Sequence, residues 1–279
     1  MTFSVVARDD AGRAWGVAVA SKFLAVGSAV PAAEPGAGAL ATQAAANLRY
    51  RPDGLALLRD GATAAEVVAA LTRADDERSH RQVGVVDAAG GSGAFTGADC
   101  IPWAGHRNGP GVAIQGNCLT GPEVVEEAER AWHDAALSPS LARRLLAALA
   151  AGDAAGGDKR GRQSAAVLVM SPGAGYGGGS DVAVDLRVDD HANPVGELDR
   201  LLGLHELYFG RADPHQLLRL DGDLRAEVAG HLRRLGYADV DESFDPAYER
   251  WIGTENYEER HVAGHVDPVV LDRLRAQAT

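Results

Sequence analysis

Residue 2 is Thr, and Thr2-Phe-Ser-Val-Val-Ala7 is a short, β-branched, apolar run. A small penultimate residue permits removal of the initiator Met. Thr2 would then carry a hydroxyl nucleophile and a free α-amine on one residue. An α-amine titrates at about 7.7–8.0, so a useful fraction is neutral near pH 7 and can accept the hydroxyl proton. The same pair of groups begins many chains, so its meaning depends on how rigidly the chain holds it.

Other residues could serve acyl transfer beside it. Asn117 follows the apolar run Gly111-Val-Ala-Ile-Gln115 and could donate its amide to an oxyanion, or it is an ordinary turn residue after Gly116. Gln43 and Asn47 are the amides of a stretch otherwise made of small residues. Gly157-Asp-Lys-Arg-Gly-Arg-Gln163 is the densest polar cluster. It sets Asp158, Lys159, Arg160 and Gln163 where cations and donors could surround an anionic group, unless it is a solvated loop. The 27 basic residues divide into 25 Arg and 2 Lys, Lys22 and Lys159. Both lysines invite the question of what a guanidinium could not do there, since an ammonium is a compact point charge with a movable pKa. His80 and His106 stand alone without metal-ligand spacing and read as structural or surface residues. No Gly-x-Ser-x-Gly, His-Glu-x-x-His or P-loop pattern occurs.

The elements that must position these residues follow from apolar periodicity. Residues 2–7 and 15–20 flank the polar turn Arg8–Arg13 and form a β-hairpin. A further strand or close turn around Gly27, a turn over 31–36 and a strand from Gly38 towards Asn47 follow. Helices span 55–60 and 63–73, the second opened by a Thr63-x-x-Glu66 capping box. Strands follow at 82–87 and 92–96. A strand pair lies within 104–118, with Asn108-Gly109 as its hairpin signal. Helices run from Gly121-Pro122 to about His133 and from Ser138-Pro139 to about Ala151. Strands at 165–170 and 181–188 precede an amphipathic helix over 194–208. Hairpins and paired helices favour antiparallel sheets between helix layers over βαβ units. From about residue 213 aromatics and charges rise, with helices at 224–235 and 266–274. The chain therefore reads as a domain over 1–212 and a small, mostly helical unit over 213–279.

Composition narrows the function classes. The chain has 279 residues and a formal net charge of −12, which opposes nucleic acid and anionic membranes as partners. No apolar run approaches the roughly 20 residues of a membrane span. The N-terminus lacks a signal-peptide pattern, so a cytoplasmic location is expected. Two cysteines, Cys100 and Cys118, make neither a disulfide framework nor a metal cluster. Neither cofactor nor metal is expected, and a homo-oligomer is left open.

These residues together resemble a known family. Thr2–Ala7, Trp15-Gly-Val-Ala-Val-Ala-Ser-Lys22, Ala41-Thr-Gln43 with Asn47, Arg81-Gln-Val-Gly84, Ala94-Phe-Thr-Gly97, Gln115-Gly-Asn117 and Gly156–Ser164 are similar to the DUF1028 family, placed in the N-terminal nucleophile (Ntn) hydrolase superfamily. The resemblance spans about residues 2–205. It implies an α+β fold, a four-layer αββα sandwich of two antiparallel sheets, with Thr2 as nucleophile after Met1 removal. By the same analogy Lys22 would lower the amine pKa. Asn117 and main-chain donors near Gln43-Ala44 would form the oxyanion hole. Gln43, Asn47, Asp158, Lys159, Arg160 and Gln163 would bind substrate. Leu232-Arg-Arg-Leu-Gly-Tyr237, Trp251-Ile-Gly and Glu255-Asn256 resemble the peptidoglycan-binding-like appendage of some members. The expected activity is hydrolysis of a C–N amide bond in a small molecule or peptide. The competing expectation is a non-catalytic binding module that keeps the fold and uses its tail for cell-wall or protein contacts.

Overall fold

The computed structural model describes residues 2–239 and 243–278. Met1, whose removal the nucleophile reading requires, lies outside the described residues. Strands β1 (Thr2–Arg8) and β2 (Trp15–Ser21) form the expected hairpin, with Phe3 opposite Ala20 and Arg8 opposite Trp15. Around Gly27 the chain makes one helical turn, α1 (Val26–Ala29), rather than a strand. Tertiary anchors override local preference there: the Val26 N–H donates to Ser164 Oγ at 3.0 Å. The expected turn over 31–36 instead contributes β3 (Pro31–Glu34). Proline is tolerated because β3 is an edge strand that needs no ladder donor there.

The chain continues through β4 (Gly38–Ala44), α2 (Tyr50–Arg59) and α3 (Ala64–Arg73). Thr63 and Glu66 form the predicted capping box. Then come β5 (Arg81–Asp87), β6 (Ser92–Thr96), β7 (Gly105–Gly109) and β8 (Val112–Asn117). Asn108 and Gly109 belong to β7, and the reversal falls at Pro110-Gly111, where Gly111 takes φ 70°. Helices α4 (Glu123–Asp134) and α5 (Leu141–Ala154) follow. Ser140, not Ser138-Pro139, caps α5 by accepting from the Arg143 N–H at 3.2 Å. Strands β9 (Ser164–Met170) and β10 (Val182–Val188) lead into α6 (Pro194–Phe209).

Two antiparallel sheets result, ordered β10-β9-β2-β1-β8-β7 and β3-β4-β5-β6. Strand alternation sorts their side chains into separate apolar layers. Val5, Ala18, Ile114 and Val167 pack against Leu145, Leu149, Val124 and Trp132 of α4 and α5. Val6, Val17, Val19 and Ala113 point the other way and meet Ala39, Ala41 and Val86 of the second sheet. Leu40, Val83 and Val85 pack with Leu58, Val67 and Leu71 of α2 and α3. Each sheet thus buries both faces, which explains the near-continuous apolar runs of β1, β2 and β5.

Contacts divide the chain between Leu202 and Gly203, inside α6, whereas composition changes near residue 213. The second half of α6 contributes Leu204, Leu207 and Tyr208 to the C-terminal core. That unit contains β11 (Leu218–Arg219), α7 (Gly222–Arg234), α8 (Phe244–Thr254), β12 (His265–Val266) and α9 (Pro268–Gln277). Val228, Leu232, Trp251, Tyr257, Leu271 and Leu274 are its buried centre. Among the described residues no helix is long and apolar enough to cross a membrane.

Candidate active site

The layer between the sheets is apolar at one end and polar at the other. The polarity follows the alternation: Thr2 and Ser4 share a face with Val6, Gln43 with Ala41, Gln82 with Val86, and Gln115 and Asn117 with Ala113. In the six-stranded sheet Thr2 pairs with Asn117 on one side, and Ser21 pairs with Ser164 on β9. Thr2 Oγ1 lies 3.0 Å from Ser21 Oγ, and Thr2 is 4% exposed. The hydroxyl is therefore fixed at the first position of a strand buried on both faces.

Buried amides hold the Thr2 backbone. Gln43 Nε2 and Asn117 Nδ2 donate to the Thr2 carbonyl at 3.2 and 3.4 Å. The same two nitrogens donate to Gln82 Oε1 at 2.8 and 2.9 Å. Gln82 Nε2 points the other way, to the Gly116 carbonyl at 2.8 Å and Thr96 Oγ1 at 2.9 Å. Ser4 Oγ donates to Gln43 Oε1 at 2.7 Å and accepts from Gln115 Nε2 at 2.6 Å. Gly84 makes this possible, because a Cβ there would stand 2.0 Å from Gln115 Oε1. Polar side chains this deep persist only when their bonding capacity is met. Here one atom falls short: Gln115 Oε1 has no hydrogen-bond partner among the described residues.

The residues expected to act separate on inspection. Asn117, 1% exposed, directs its amide N–H groups to Thr2 and Gln82, and Gln43, also 1% exposed, shares its own among Thr2, Gln82 and the Gln115 carbonyl at 3.3 Å. An amide nitrogen has two protons, and both on Asn117 are directed inward. Its side chain thus orients Thr2 instead of offering a donor to an oxyanion, and Gln43 likewise is not presented to a substrate. Asn47 lies apart, donating to Asp75 Oδ2 at 2.9 Å. Lys22 Nζ donates to the Arg162 carbonyl at 3.2 Å. Register places Ser21 on the face of Thr2, while Lys22 follows the last residue of β2 and its ammonium is engaged by the Arg162 carbonyl.

Asp158, 6% exposed, accepts from the Lys22 N–H at 2.9 Å, the Arg160 N–H at 3.0 Å and Arg160 Nη2 at 2.8 Å. It clamps the segment after β2 and leaves the expected substrate role to other groups. Lys159 Nζ donates to the Pro102 carbonyl at 2.7 Å, and Gln163 Nε2 to Asp190 Oδ1 at 3.1 Å. The Gly-rich loop is therefore a brace beneath the ends of β2 and β8.

A cleft of about 290 Å³ does open at this end, lined by Ala44, Ala45, His80, Asp99, Cys100, Ile101 and Asn117. Five of its residues lie outside the site expected from sequence because no motif marks them: Ala45, His80, Asp99, Cys100 and Ile101. His80 Nε2 stands 3.8 Å from Asp99 Oδ2. Burial raises the Cys100 thiol above its ordinary value, so it stays protonated at neutral pH. Ala44 and Cys118, at the ends of β4 and β8, adopt φ 72° and 53°. Left-handed non-Gly residues are strained, and such strain gathers at functional sites. The Ala45 N–H donates back to the His80 carbonyl at 3.2 Å. Ladder parity therefore turns the Ala44 N–H away from β5, past the start of β3, which makes it a candidate main-chain donor.

Residues 2–198 match the family model described as "Family of unknown function (DUF1028)". The chain belongs to the DUF1028 family. The crystal structure of protein SPO2555 from Silicibacter pomeroyi, matched to the same family model, is similar. It superposes with a TM-score of 0.66 at 31% sequence identity, over 81% of this chain and 92% of that one. Residues 208–274 match a second model, "Putative peptidoglycan binding domain". No curated protein matches the chain. For this DUF1028 chain the first match begins at Thr2, the residue on which the polar end of the sheets converges.

Proposed function

We propose that the DUF1028 domain is an N-terminal-nucleophile hydrolase of a C–N amide bond, with Thr2 as nucleophile once Met1 is removed. The observation that carries this reading is that Thr2 opens a buried central strand with its hydroxyl and carbonyl both fixed. The stacking of two antiparallel sheets between helix pairs agrees with an αββα arrangement of the Ntn type. In the proposed cycle Thr2 Oγ1 attacks the substrate carbonyl carbon and its proton passes to the Thr2 α-amine. The tetrahedral oxyanion takes the Ala44 N–H as donor. The amine returns the proton to the leaving nitrogen as the C–N bond breaks, leaving an acyl ester on Oγ1. Water, deprotonated by the same amine, then hydrolyses that ester and restores Thr2. A cleft of about 290 Å³ suits a small molecule or a short peptide end.

Three measurements test the proposal. Intact mass establishes whether Met1 is absent. Periodate cleaves only an N-terminal 1,2-amino alcohol, so a processed chain must convert to its glyoxylyl form. A panel of small amides then seeks turnover that is lost in Thr2→Ala. A retained Met1, or turnover unaffected by Thr2→Ala, would overturn the reading.

A further inference from the structure

The geometry points to Gln82 as a positioning residue for the N-terminal nucleophile, an inference that rests on the proposed role of Thr2. Gln82 lies on β5 of the opposite sheet and is 0% exposed. Its Oε1 accepts from both amide nitrogens that grip the Thr2 carbonyl, Gln43 Nε2 and Asn117 Nδ2. Those nitrogens come from different sheets, Gln43 from β4 and Asn117 from β8. One oxygen atom therefore ties both to a common point.

The direction of the Gln82 amide is itself determined. Its nitrogen faces the carbonyls of Gly116 and Gly105, at 2.8 and 3.1 Å, and Thr96 Oγ1. Rotating the amide by half a turn would set its oxygen against two carbonyl oxygens and its nitrogen against two N–H groups. Thr96 Oγ1 also lies 2.8 Å from His106 Nδ1, which extends the chain of bonds to the protein edge.

This matters because a processed Thr2 has few anchors. Its amine ends the chain, so the residue is held by the Ser21 contact, by its pairing with Asn117 and by its carbonyl. The carbonyl bonds fix the plane of the 2–3 peptide, and with it the direction in which Oγ1 and the amine project. Gln82 never touches the reacting atoms. It acts through Gln43 and Asn117, keeping their N–H groups aimed at Thr2 when the inter-sheet space could offer other acceptors. A displacement of about 1 Å at a reacting group can cost roughly 100-fold in rate.

The test uses the full chain with Met1 removed and p-nitrophenyl acetate as the probe. In the reaction followed, Thr2 Oγ1 bonds to the acetyl carbon, the ester C–O bond breaks, and p-nitrophenolate leaves. The hydroxyl proton passes to the α-amine. Absorbance gives the second-order rate, and peptide mapping places the acetyl group. Gln82→Met fills the site without hydrogen bonding and should slow acetylation of Thr2 by about 10- to 100-fold. Gln82→Glu keeps an acceptor oxygen for Gln43 and Asn117 and should recover a clear part of that loss. It does so although its carboxylate faces the Gly116 and Gly105 carbonyls and should melt no higher than Gln82→Met. A merely structural residue would give rates that follow the melting temperatures. Such a ranking, or a Gln82→Met rate within about twofold of wild type, would overturn the inference while Thr2 remained the nucleophile. Failure to acetylate Thr2 in the wild type would instead overturn the nucleophile reading, and this inference with it.

Discussion

Replacing Thr2 by Ala deletes one hydroxyl group and leaves the rest of β1 intact. That hydroxyl is buried, and its described partner is Ser21 Oγ at 3.0 Å. The loss of one such bond costs about 0.5–1.5 kcal/mol. The carbonyl bonds from Gln43 and Asn117 survive, because they involve only the backbone of residue 2. For a chain of this size 1 kcal/mol corresponds to a shift in Tm of about 2–4 °C. Thr2→Ala should therefore melt within a few degrees of wild type. Amide turnover should fall to the background rate, because the hydroxyl that the proposed cycle uses as nucleophile is gone. Thr2→Ser keeps hydroxyl and amine and should retain part of the rate. Differential scanning calorimetry and turnover of the best amide from the panel measure the two quantities. A Thr2→Ala protein with full turnover, or one with a large drop in Tm and proportionate loss of activity, would refute the reasoning.

Three further outcomes are expected. Lys22→Arg and Lys159→Arg should change kinetics less than about twofold and stability by under about 0.5 kcal/mol, since each ammonium donates to a main-chain carbonyl that a guanidinium can also reach; a selective fall in kcat or rise in KM would restore them to the site. Burial alone would raise the Asp75 pKa, but hydrogen bonds from Asn47, Arg81, the Glu77 N–H and Tyr50 outweigh it and hold the carboxylate well below its ordinary range. A depressed carboxylate stabilises the fold fully above its unfolded pKa of about 3.9 and loses that contribution as pH falls below it. Asp75→Asn should therefore flatten the stability profile below about pH 4, and an unchanged acid limb in urea titrations would contradict this. A chain ending at residue 212 retains α6 and should keep any amide turnover, since residues 203–279 have their own apolar core, although it uncovers Leu204, Leu207 and Tyr208 of that core; failure to fold of a chain ending at residue 202 as well would show that the main core needs the tail.

Much of the fold is legible in the sequence because both kinds of period are strong. The β1–β2 hairpin, the capped helix α3 and the strands of Gln82–Asp87 and Ala165–Met170 follow from local pattern alone. The misread segments share a physical cause. Residues 23–36 take their form from distant partners, Ser164 for Val26 and β4 for Pro31–Glu34, and local propensity carries no trace of these. The Asn108-Gly109 pair has the chemistry of a turn, yet pairing with β8 draws it into the strand and moves the reversal to Gly111. Helix α8, hidden in an aromatic and charged segment, is stabilised by burying Tyr248, Trp251 and Ile252, not by a clean period.

The site divides differently, because residue type identifies a capacity but not its use. Thr2, Gln43 and Asn117 are brought together as expected, yet an amide at a strand end can serve a ligand or a backbone equally well. The decision rests on counting protons: Asn117 Nδ2 has two, and Thr2 and Gln82 receive them. The polar loop 157–163 illustrates the same ambiguity, since Asp158 and Lys159 meet main-chain partners on either side of it. Gln82 carries a signal in retrospect. A glutamine alternating with Gly84 and Val86 on a strand with no solvent-facing side must bond to something inside, and a glycine two residues on opens room for a facing side chain. A buried strand that retains an amide beside a glycine therefore argues for a polar layer between sheets, and the residues opposite it are the ones to examine for chemistry.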